Sequence, residues 1–314
     1  MTYIAGVDEV GRGCLAGPVM AAAVILPPDV HIPNIKDSKK LSVIQREKIY
    51  KVISQKALSI GIGIVDSKTI DKINIREATF NAMDIAVQSL TVKPDKALID
   101  GFSVDKLSVP NEGIIKGDNI EISIMAASII AKVTRDKLMK NYDLIFSEYL
   151  LKNNKGYGTS AHLKALIKYK ASILHRKTFK PVFNNLPNHK WLSQENRFYW
   201  FGSKVAGLYL LNNGYKLKSI IKGDVEGSVL YIGIKSKITI IFLVFIKLNL
   251  MGSAFQRPTV NNIKHLDENV MCKLNDIIDK ENYFRFDALN VNLSFKSPKI
   301  DQIKNIDYNQ FLDQ

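Results

Sequence analysis

Three short apolar segments of the chain end at an acid close to a glycine, and this repetition most constrains the fold. The three ends read Asp8-Glu9, Asp100-Gly101 and Lys116-Gly117-Asp118. Short apolar runs bounded by turn residues predict buried strands. Strands that end at the same edge of an α/β sheet form the edge where ligands usually bind. The sequence therefore predicts an α/β fold whose acids converge at one sheet edge.

The first acidic strand end is followed at once by a Gly11-Arg12-Gly13 turn and a second apolar run. Successive strand residues point to opposite faces, so Asp8 and Glu9 can share one site only where the strand frays or bends. Two carboxylates facing backbone N–H groups and an arginine suit a metal ion and a phosphate together. The alternative is a hairpin turn with solvated acids, because Asp and Gly are ordinary turn residues.

The third acid, Asp118, has a structural alternative as well. With Glu121 three residues later, it can be the N-cap of a helix predicted from Ile120 to Lys140. An N-cap can still present a free carboxylate oxygen, so the two roles are compatible. Asp136 within this helix is predicted to pair with a neighbouring lysine, Lys132 or Lys140, as a structural acid.

Net charge points to a polyanionic partner. The formal net charge is +14, and between residues 149 and 194 the chain contains nine Lys or Arg residues and no acid. Such an excess favours nucleic acid, with an acidic membrane surface as the second choice. A solvated basic face is the alternative interpretation of the run.

The remaining composition predicts a cytoplasmic protein. The two cysteines, Cys14 and Cys272, are too few for a disulfide framework or a zinc cluster. The N-terminus lacks the pattern of a secretory signal. The longest apolar run, residues 238–246, is too short to span a membrane. We therefore expect no membrane association, and we expect a monomer.

Six motifs in one order carry a resemblance to a known family. They are Asp8-Glu9-Val-Gly-Arg-Gly with Ala16-Gly-Pro, Asp100-Gly101, Lys116-Gly-Asp118, Ala126 to Asp136, Lys155-Gly-Tyr-Gly-Thr with His162, and His175-Arg-Lys-Thr-Phe179. Over about residues 1–183 the chain resembles ribonuclease HII, the type 2 ribonuclease H family. One departure is Tyr169-Lys-Ala, where the family usually has Tyr-Gly-Pro.

The resemblance implies a ribonuclease-H-like mixed sheet flanked by helices and assigns roles to individual residues. The implied catalytic and metal-binding acids, holding two Mg²⁺ or Mn²⁺ ions, are Asp8, Glu9, Asp100 and Asp118. The implied substrate contacts are Gly11, Arg12, Gly13, Lys39 and Tyr157. In the family the turn's main chain contacts the ribonucleotide 2′-OH, and the tyrosine stacks on the next sugar. Alternatively, Lys39 is an exposed lysine before a capped helix, and Tyr157 packs on its own domain.

The implied activity is that of an endoribonuclease. It cleaves the RNA strand of RNA–DNA hybrids and incises DNA duplexes 5′ to an embedded ribonucleotide, leaving a 3′-OH and a 5′-phosphate by two-metal-ion hydrolysis. The alternative is a non-catalytic nucleic-acid-binding protein on the same fold. Four retained acids argue against that alternative, because a binder has no reason to place like charges against phosphates.

A second small α/β domain is predicted over residues 186–314, after a catalytic domain over residues 1–185. It weakly resembles the YraN-like family, whose fold is of the restriction-endonuclease type, through Gly202, Ala206, Leu210, Gly214-Tyr215 and Arg285-Phe286-Asp287. The family's acids are replaced by residues such as Ser228 and Phe245, and Lys247 is a remnant. We expect a catalytically inactive domain. An unrelated α/β module, or a fusion with no present role, is the alternative.

Overall fold

The structure is a computed structural model that describes residues 2–35, 41–192, 194, 197–222, 229–248, 283–293 and 298–306. The chain divides into two compact units. One contains residues 1–140 and 148–186, and the other contains residues 141–147 and 187–314. The predicted boundary at 185/186 falls one residue from the main division, but segment 141–147 groups with the second unit. The roles predicted for the two domains remain predictions.

The first unit contains five strands and most of the helices. The strands are β1 (Ile4–Val10), β2 (Val19–Ile25), β3 (Ser59–Val65), β4 (Lys96–Asp100) and β5 (Asn111–Ile114). The helices that begin in this unit are α1 (Val43–Lys56), α2 (Ser67–Gln88), α3 (Ile122–Ile145), α4 (Leu151–Asn154), α5 (Ser160–Tyr169) and α6 (Lys180–Phe183). Short 3-10 turns lie at Gly117–Asn119 and, where the two units alternate along the chain, at Ser147–Tyr149.

The five strands form one mixed sheet in the order β3-β2-β1-β4-β5. Strand β2 pairs antiparallel with both β1 and β3, whereas β4 pairs parallel with both β1 and β5. Val7 on β1 is level with Ile99 on β4, and Asp100 is level with Ile114 on β5. The register therefore brings the carboxyl ends of the three parallel strands, with Asp8 and Asp100, to one edge of the sheet.

Both faces of this sheet are covered by helices, because the strands are apolar on both sides. One core cluster joins Val7 and Val19 to residues of α2 such as Ala82, and a second joins Ala22 to residues of α3 such as Ala127. Gly6 lets α3 begin directly against β1, since a Cβ there would lie 2.1 Å from the backbone of Ser123. The start of α3 is thus fixed beside the acidic strand end.

The helix predictions of the first unit are largely confirmed, with two differences. Helix α1 begins after Ser42 with the expected N-cap, completed by Gln45 as a capping box. The predicted helix from residue 73 instead begins at Ser67 and contains a non-helical residue, Asn74, with φ of 68°. Asp118 is not an N-cap: it lies in a 3-10 turn, and the backbone bond that opens α3 runs from Met125 N–H to the Glu121 carbonyl.

The second unit contains a separate five-stranded sheet in the order β10-β9-β8-β7-β6, with α7 (His189–Leu192) and α8 (Arg197–Asn212). The strands are β6 (Lys216–Lys222), β7 (Val229–Lys235), β8 (Ile238–Leu248), β9 (Phe284–Leu293) and β10 (Lys299–Ile306). For this unit the sequence predicts a helix over residues 202–211, strands over 228–234, 237–247 and 283–291, and a helix around 270–280. Helix α8 and strands β7, β8 and β9 match four of these, whereas β6 and β10 were not predicted. The predicted helix around 270–280, Ser228 and the Lys247 side chain lie outside what the structure describes.

Among the described helices of the protein, none has the length and apolar character that a membrane span requires.

In the second unit, the retained Asp287 is fully buried and bound by the Arg285 guanidinium at 3.0 Å and the Gln302 amide at 2.7 Å. That arrangement is a satisfied structural carboxylate.

Candidate active site

The first pair of predicted acids lies on β1, beyond the point where its pairing with β4 ends. Asp8 is 6% exposed, and its Oδ1 accepts a hydrogen bond of 2.7 Å from the backbone N–H of Glu9. The Ser128 hydroxyl of α3 also hydrogen-bonds the Asp8 carboxylate. Glu9 is half-buried, and its Oε1 accepts a bond of 3.2 Å from the Arg12 guanidinium.

The second pair joins the ends of β4 and β5. The backbone N–H of Asp118 donates to Asp100 Oδ1 at 3.2 Å, and the Asn119 amide donates to Asp118 Oδ1 at 3.1 Å. Lys116 has a φ of 58°, a left-handed conformation that turns the chain after β5 into the 3-10 turn carrying Asp118. Asp118 is buried, and the sharp backbone turn places its backbone N–H beside the Asp100 carboxylate.

Asp100 raises the pKa of both acids of the first pair, Asp8 and Glu9. Burial, followed by repulsion from Glu9 and then Asp100, raises the pKa of Asp8 to about 8 against the opposing effect of the Ser128 hydrogen bond. Burial also raises the pKa of Glu9, and Asp100 adds to the rise, while Arg12 opposes it. Because Glu9 and Asp100 raise the pKa of Asp8, and Asp100 raises that of Glu9, the three carboxylates lie close enough to repel one another, and a divalent cation would relieve that repulsion.

The donor set fits a hard divalent cation in its chemistry, because carboxylate oxygens are the ligands that Mg²⁺ and Mn²⁺ prefer. Over the described parts of the chain, however, no three His, Cys, Asp or Glu side chains are grouped closely enough to hold a metal ion as they stand. Asp8 and Glu9 are instead neighbours on β1, and Asp100 accepts a hydrogen bond from the backbone of Asp118.

The Gly11-Arg12-Gly13 turn is held from behind by a fully buried arginine. The Arg176 guanidinium donates three hydrogen bonds to backbone carbonyls: to Gly11 and Arg12 at 2.7 Å each and to Gly17 at 3.1 Å. Burial lowers the pKa of Arg176 to about 10, so the side chain remains charged at neutral pH. A positive charge thus lies directly beneath the turn.

A second fully buried arginine, Arg135 of α3, supports the neighbouring backbone. It donates to the carbonyls of Pro18 at 3.0 Å, Lys155 at 2.7 Å and Ala16 at 3.2 Å. Gly11 has a φ of 93°, and a Cβ there would lie 2.3 Å from Arg135 Nε. Only glycine therefore fits at this position, for both conformational and steric reasons.

A pair of glycine substitutions tests this packing. We expect Gly11→Ala to destabilise the protein by about 1–2 kcal/mol from conformation alone, and by more because the Arg135 guanidinium must move. Gly13→Ala is the matched control, since an added Cβ at Gly13 meets no atom within 4 Å. Thermal unfolding should show a lower Tm for Gly11→Ala and an unchanged Tm for Gly13→Ala. Equal values for the two variants would contradict the packing.

Tyr157 shares a cavity with Glu9. The cavity measures about 390 Å³ and is lined by Glu9, Val10, Arg46, Ser128, Ile129, Lys132 and Tyr157. Tyr157 is 41% exposed, so its ring is available for a contact instead of being packed away. The structure thus places Tyr157 and Glu9 at one opening.

Sequence reasoning missed several members of this site. Arg46 and Ser128 line the cavity, and neither was singled out, because an arginine on α1 and a serine on α3 carry no local signal. The predicted pairing of Asp136 is confirmed, since Lys132 Nζ lies 2.9 Å from its Oδ1. Lys39 lies outside the described residues.

Comparison with known proteins agrees with this fold. The model of the ribonuclease HII family matches residues 5–185. A ribonuclease HII of Enterococcus faecalis is 54% identical over 179 residues, covering 57% of this chain and 70% of that protein. One of Acholeplasma laidlawii is 53% identical over 181 residues, covering 58% and 89%. The crystal structure of ribonuclease H2 from Pyrococcus horikoshii matches with a TM-score of 0.52 at 26% identity, covering 58% and 96%.

The mixed sheet with helices on both faces is a ribonuclease-H-like fold, and the matches to ribonuclease HII place the chain among the nucleases of the ribonuclease H class. The chain belongs to the ribonuclease HII family. It is therefore an endoribonuclease and a hydrolase. Residues 187–314 of the second unit lie beyond the matched residues.

Proposed function

We propose that the protein cleaves the RNA strand of RNA–DNA hybrids and incises DNA duplexes 5′ to an embedded ribonucleotide. The observation that carries this proposal is the convergence of four acids and the Gly-Arg-Gly turn at one sheet edge. Asp8 and Glu9 precede the turn on β1, Asp100 ends the adjacent strand β4, and Asp118 lies in the 3-10 turn that follows β5. The net charge of +14 supports a polyanionic substrate.

The four acids would hold two divalent ions, Mg²⁺ or Mn²⁺. When bound, such ions supply an activated water and stabilise the leaving oxygen of the phosphodiester. The chain's own part is to gather carboxylates that repel one another, and the pKa of Asp8 is raised first by its burial and then by repulsion from Glu9 and Asp100. Among the described residues no three such side chains are grouped closely enough to hold an ion. The acidic side chains would therefore have to rotate toward the ions.

Recognition of the ribonucleotide falls to the turn and to Tyr157. A 2′-OH is both donor and acceptor, and a glycine-rich backbone can approach it closely. Gly13 presents open space, and Arg12, with its side chain 57% exposed, lies next to it for a phosphate contact. Tyr157, exposed at the cavity that Glu9 also lines, offers an aromatic face for stacking.

The Gly13→Ala variant tests this assignment without disturbing the fold. An added methyl group would occupy the open space in which the sugar must approach, so we expect incision at a ribonucleotide to fall at least about 10-fold. The Tm should stay unchanged. Wild-type incision by Gly13→Ala would show that the turn does not approach the substrate.

Cleavage of a uniformly labelled RNA–DNA hybrid tests the proposed activity. With Mg²⁺ or Mn²⁺ we expect the RNA strand to be cut, and mass spectrometry of the products should show 3′-OH and 5′-phosphate ends. Without divalent cations no cut is expected. Tight binding with no cleavage under either cation would favour the alternative function, a non-catalytic nucleic-acid-binding protein.

A further inference from the structure

Two histidines of the first unit are hydrogen-bonded to each other in the protein interior. His162 on α5 and His175 in the following loop are 0% and 1% exposed, and their Nε2 atoms lie 3.1 Å apart. Neither belongs to the acidic edge. The ring of His175 also packs edge-on against Tyr149, with centroids 4.7 Å apart.

The partners of the two rings determine where the protons lie. His162 Nδ1 is 2.9 Å from the Tyr157 carbonyl, which can only accept, so Nδ1 carries a proton. His175 Nδ1 accepts from the backbone N–H of Ser172 at 3.1 Å, so its proton is on Nε2. The Nε2–H of His175 therefore donates to the unprotonated Nε2 of His162. Both rings are neutral in this arrangement.

Burial supports that assignment. It lowers the pKa of both rings, and together with the neighbouring His162 it brings the pKa of His175 to about 3. The groups that face the rings are neutral: the Tyr149 ring, the Ser172 hydroxyl and backbone, and the Tyr157 carbonyl.

Each of the two histidines contacts backbone in or near one of the two proposed substrate-binding segments, the Gly-Arg-Gly turn and the loop that carries Tyr157. His175 forms an antiparallel bridge with Ala16, and the flanking Gly17 N–H donates to the Leu174 carbonyl at 2.9 Å. This bridge lies directly behind the Gly-Arg-Gly turn. On the other side, His162 lies in the first turn of α5 and bonds the carbonyl of Tyr157 itself.

We propose that His162 and His175 are positioning residues, and that their mutual hydrogen bond sets the place of Tyr157 relative to the Gly-Arg-Gly turn. The inference rests on the proposed function, because it assumes that both segments contact the nucleic acid. The loop that carries Tyr157 needs such a constraint, since Lys155 and Gly156 before it have φ values of 54° and 89°. A displacement of about 1 Å at a substrate-positioning group can cost 10²-fold in rate.

A double-mutant cycle between His162→Leu and Tyr157→Ala tests the inference in the full chain, well below the Tm of every variant. His162→Leu removes both ring hydrogen bonds, and we expect kcat/KM for a ribonucleotide-containing duplex to fall about 10- to 100-fold. In the Tyr157→Ala background the same change should cost less than about threefold, because its effect acts through Tyr157. Equal losses in both backgrounds would overturn the inference and leave a structural role.

A conservative variant and a spectroscopic measurement complete the test. His162→Asn can keep a donor toward the Tyr157 carbonyl, so its kcat/KM should lie above that of His162→Leu. Ring ¹⁵N NMR of the wild-type chain should show the Nδ1–H tautomer for one histidine and the Nε2–H tautomer for the other, both unprotonated from pH 8 to 5. Ring titration near pH 6.5 would refute the pair. A wild type that cuts no substrate would refute the proposed function, and this inference with it, whatever the NMR shows.

Discussion

Replacing Asp8 by asparagine should abolish incision and, at the same time, raise the thermal stability of the metal-free protein. The loss of activity follows because a metal-binding carboxylate is replaced by a neutral amide of the same shape. We expect a loss of at least about 10²-fold, with binding of a ribonucleotide-containing duplex nearly intact. Unchanged turnover would contradict the assignment of Asp8 to the metal site.

The gain in stability follows from the raised pKa of Asp8. Its usual value is 3.8 and its value in the folded protein is about 8. Between these values the folded protein retains a proton that the unfolded chain has released, so stability falls as pH rises through this window. Each pKa unit corresponds to about 1.4 kcal/mol, so even a fraction of the shift is measurable.

The measurement is thermal unfolding in a chelating buffer at pH 5 and pH 8. At pH 8 we expect Asp8→Asn to raise the Tm by about 2–4 °C for each kcal/mol gained, and at pH 5 we expect a smaller difference. Asp105→Asn, at an exposed position, is the matched control and should change neither value. A Tm that falls at pH 8 would show that Asp8 is not destabilised by its neighbours.

Replacing Arg176 by methionine should produce the largest loss of stability of any single change considered. The variant keeps most of the side-chain volume but removes three hydrogen bonds to the carbonyls of Gly11, Arg12 and Gly17. A buried carbonyl left without a partner costs about 1–3 kcal/mol. We expect a loss of about 3–5 kcal/mol, and a Tm lower by about 10 °C.

Denaturant unfolding measures this loss as a lower midpoint with an unchanged m-value. Lys177→Met is the matched control, because the Lys177 side chain is exposed and its contact with Asp71 is made by the backbone N–H. Incision by Arg176→Met should also fall at temperatures where the variant is folded, since the turn loses its support. If Arg176→Met were as stable as the control, the buried bonds would contribute nothing net.

The position of the acids could be predicted because it depends on short-range patterns. Strands β1 and β4 are short apolar runs with Asp8 and Asp100 at or near their ends, whereas Asp118 lies in the 3-10 turn beyond β5. The pairing of Val7 with Ile99 then brings Asp8 and Asp100 to the same edge of the sheet. Sequence alone could not show how the four carboxylates are arranged relative to one another, because their arrangement depends on rotamers and on the 3-10 turn at Asp118.

The buried arginines could not be predicted from composition or periodicity. Arginine is among the residues least often buried, so Arg135 and Arg176 would be assigned to the surface. Their burial depends on carbonyls that are more than 100 positions away in the chain, such as Pro18 for Arg135 and Gly11 for Arg176. Only the folded backbone brings these groups together.

The two missed strands of the second unit have a different explanation. Strands β6 and β10 are the edges of their sheet, and their residues alternate only weakly between apolar and polar. An edge strand needs less apolar surface than a central strand, and lysines on it protect against edge-to-edge pairing. The central strands β7 and β8 carry long apolar runs and β9 alternates in part between apolar and polar residues, and all three were therefore predicted.

The central claim is that this chain recognises a ribonucleotide within DNA and hydrolyses the bond on its 5′ side. The most direct test is incision of an end-labelled DNA duplex carrying one ribonucleotide, with and without Mg²⁺, beside an all-DNA duplex of the same sequence. We predict a single Mg²⁺-dependent nick 5′ to the ribonucleotide and no cut in the all-DNA duplex. Cutting of both duplexes alike, or binding of the first with no nick under Mg²⁺ or Mn²⁺, would contradict the account.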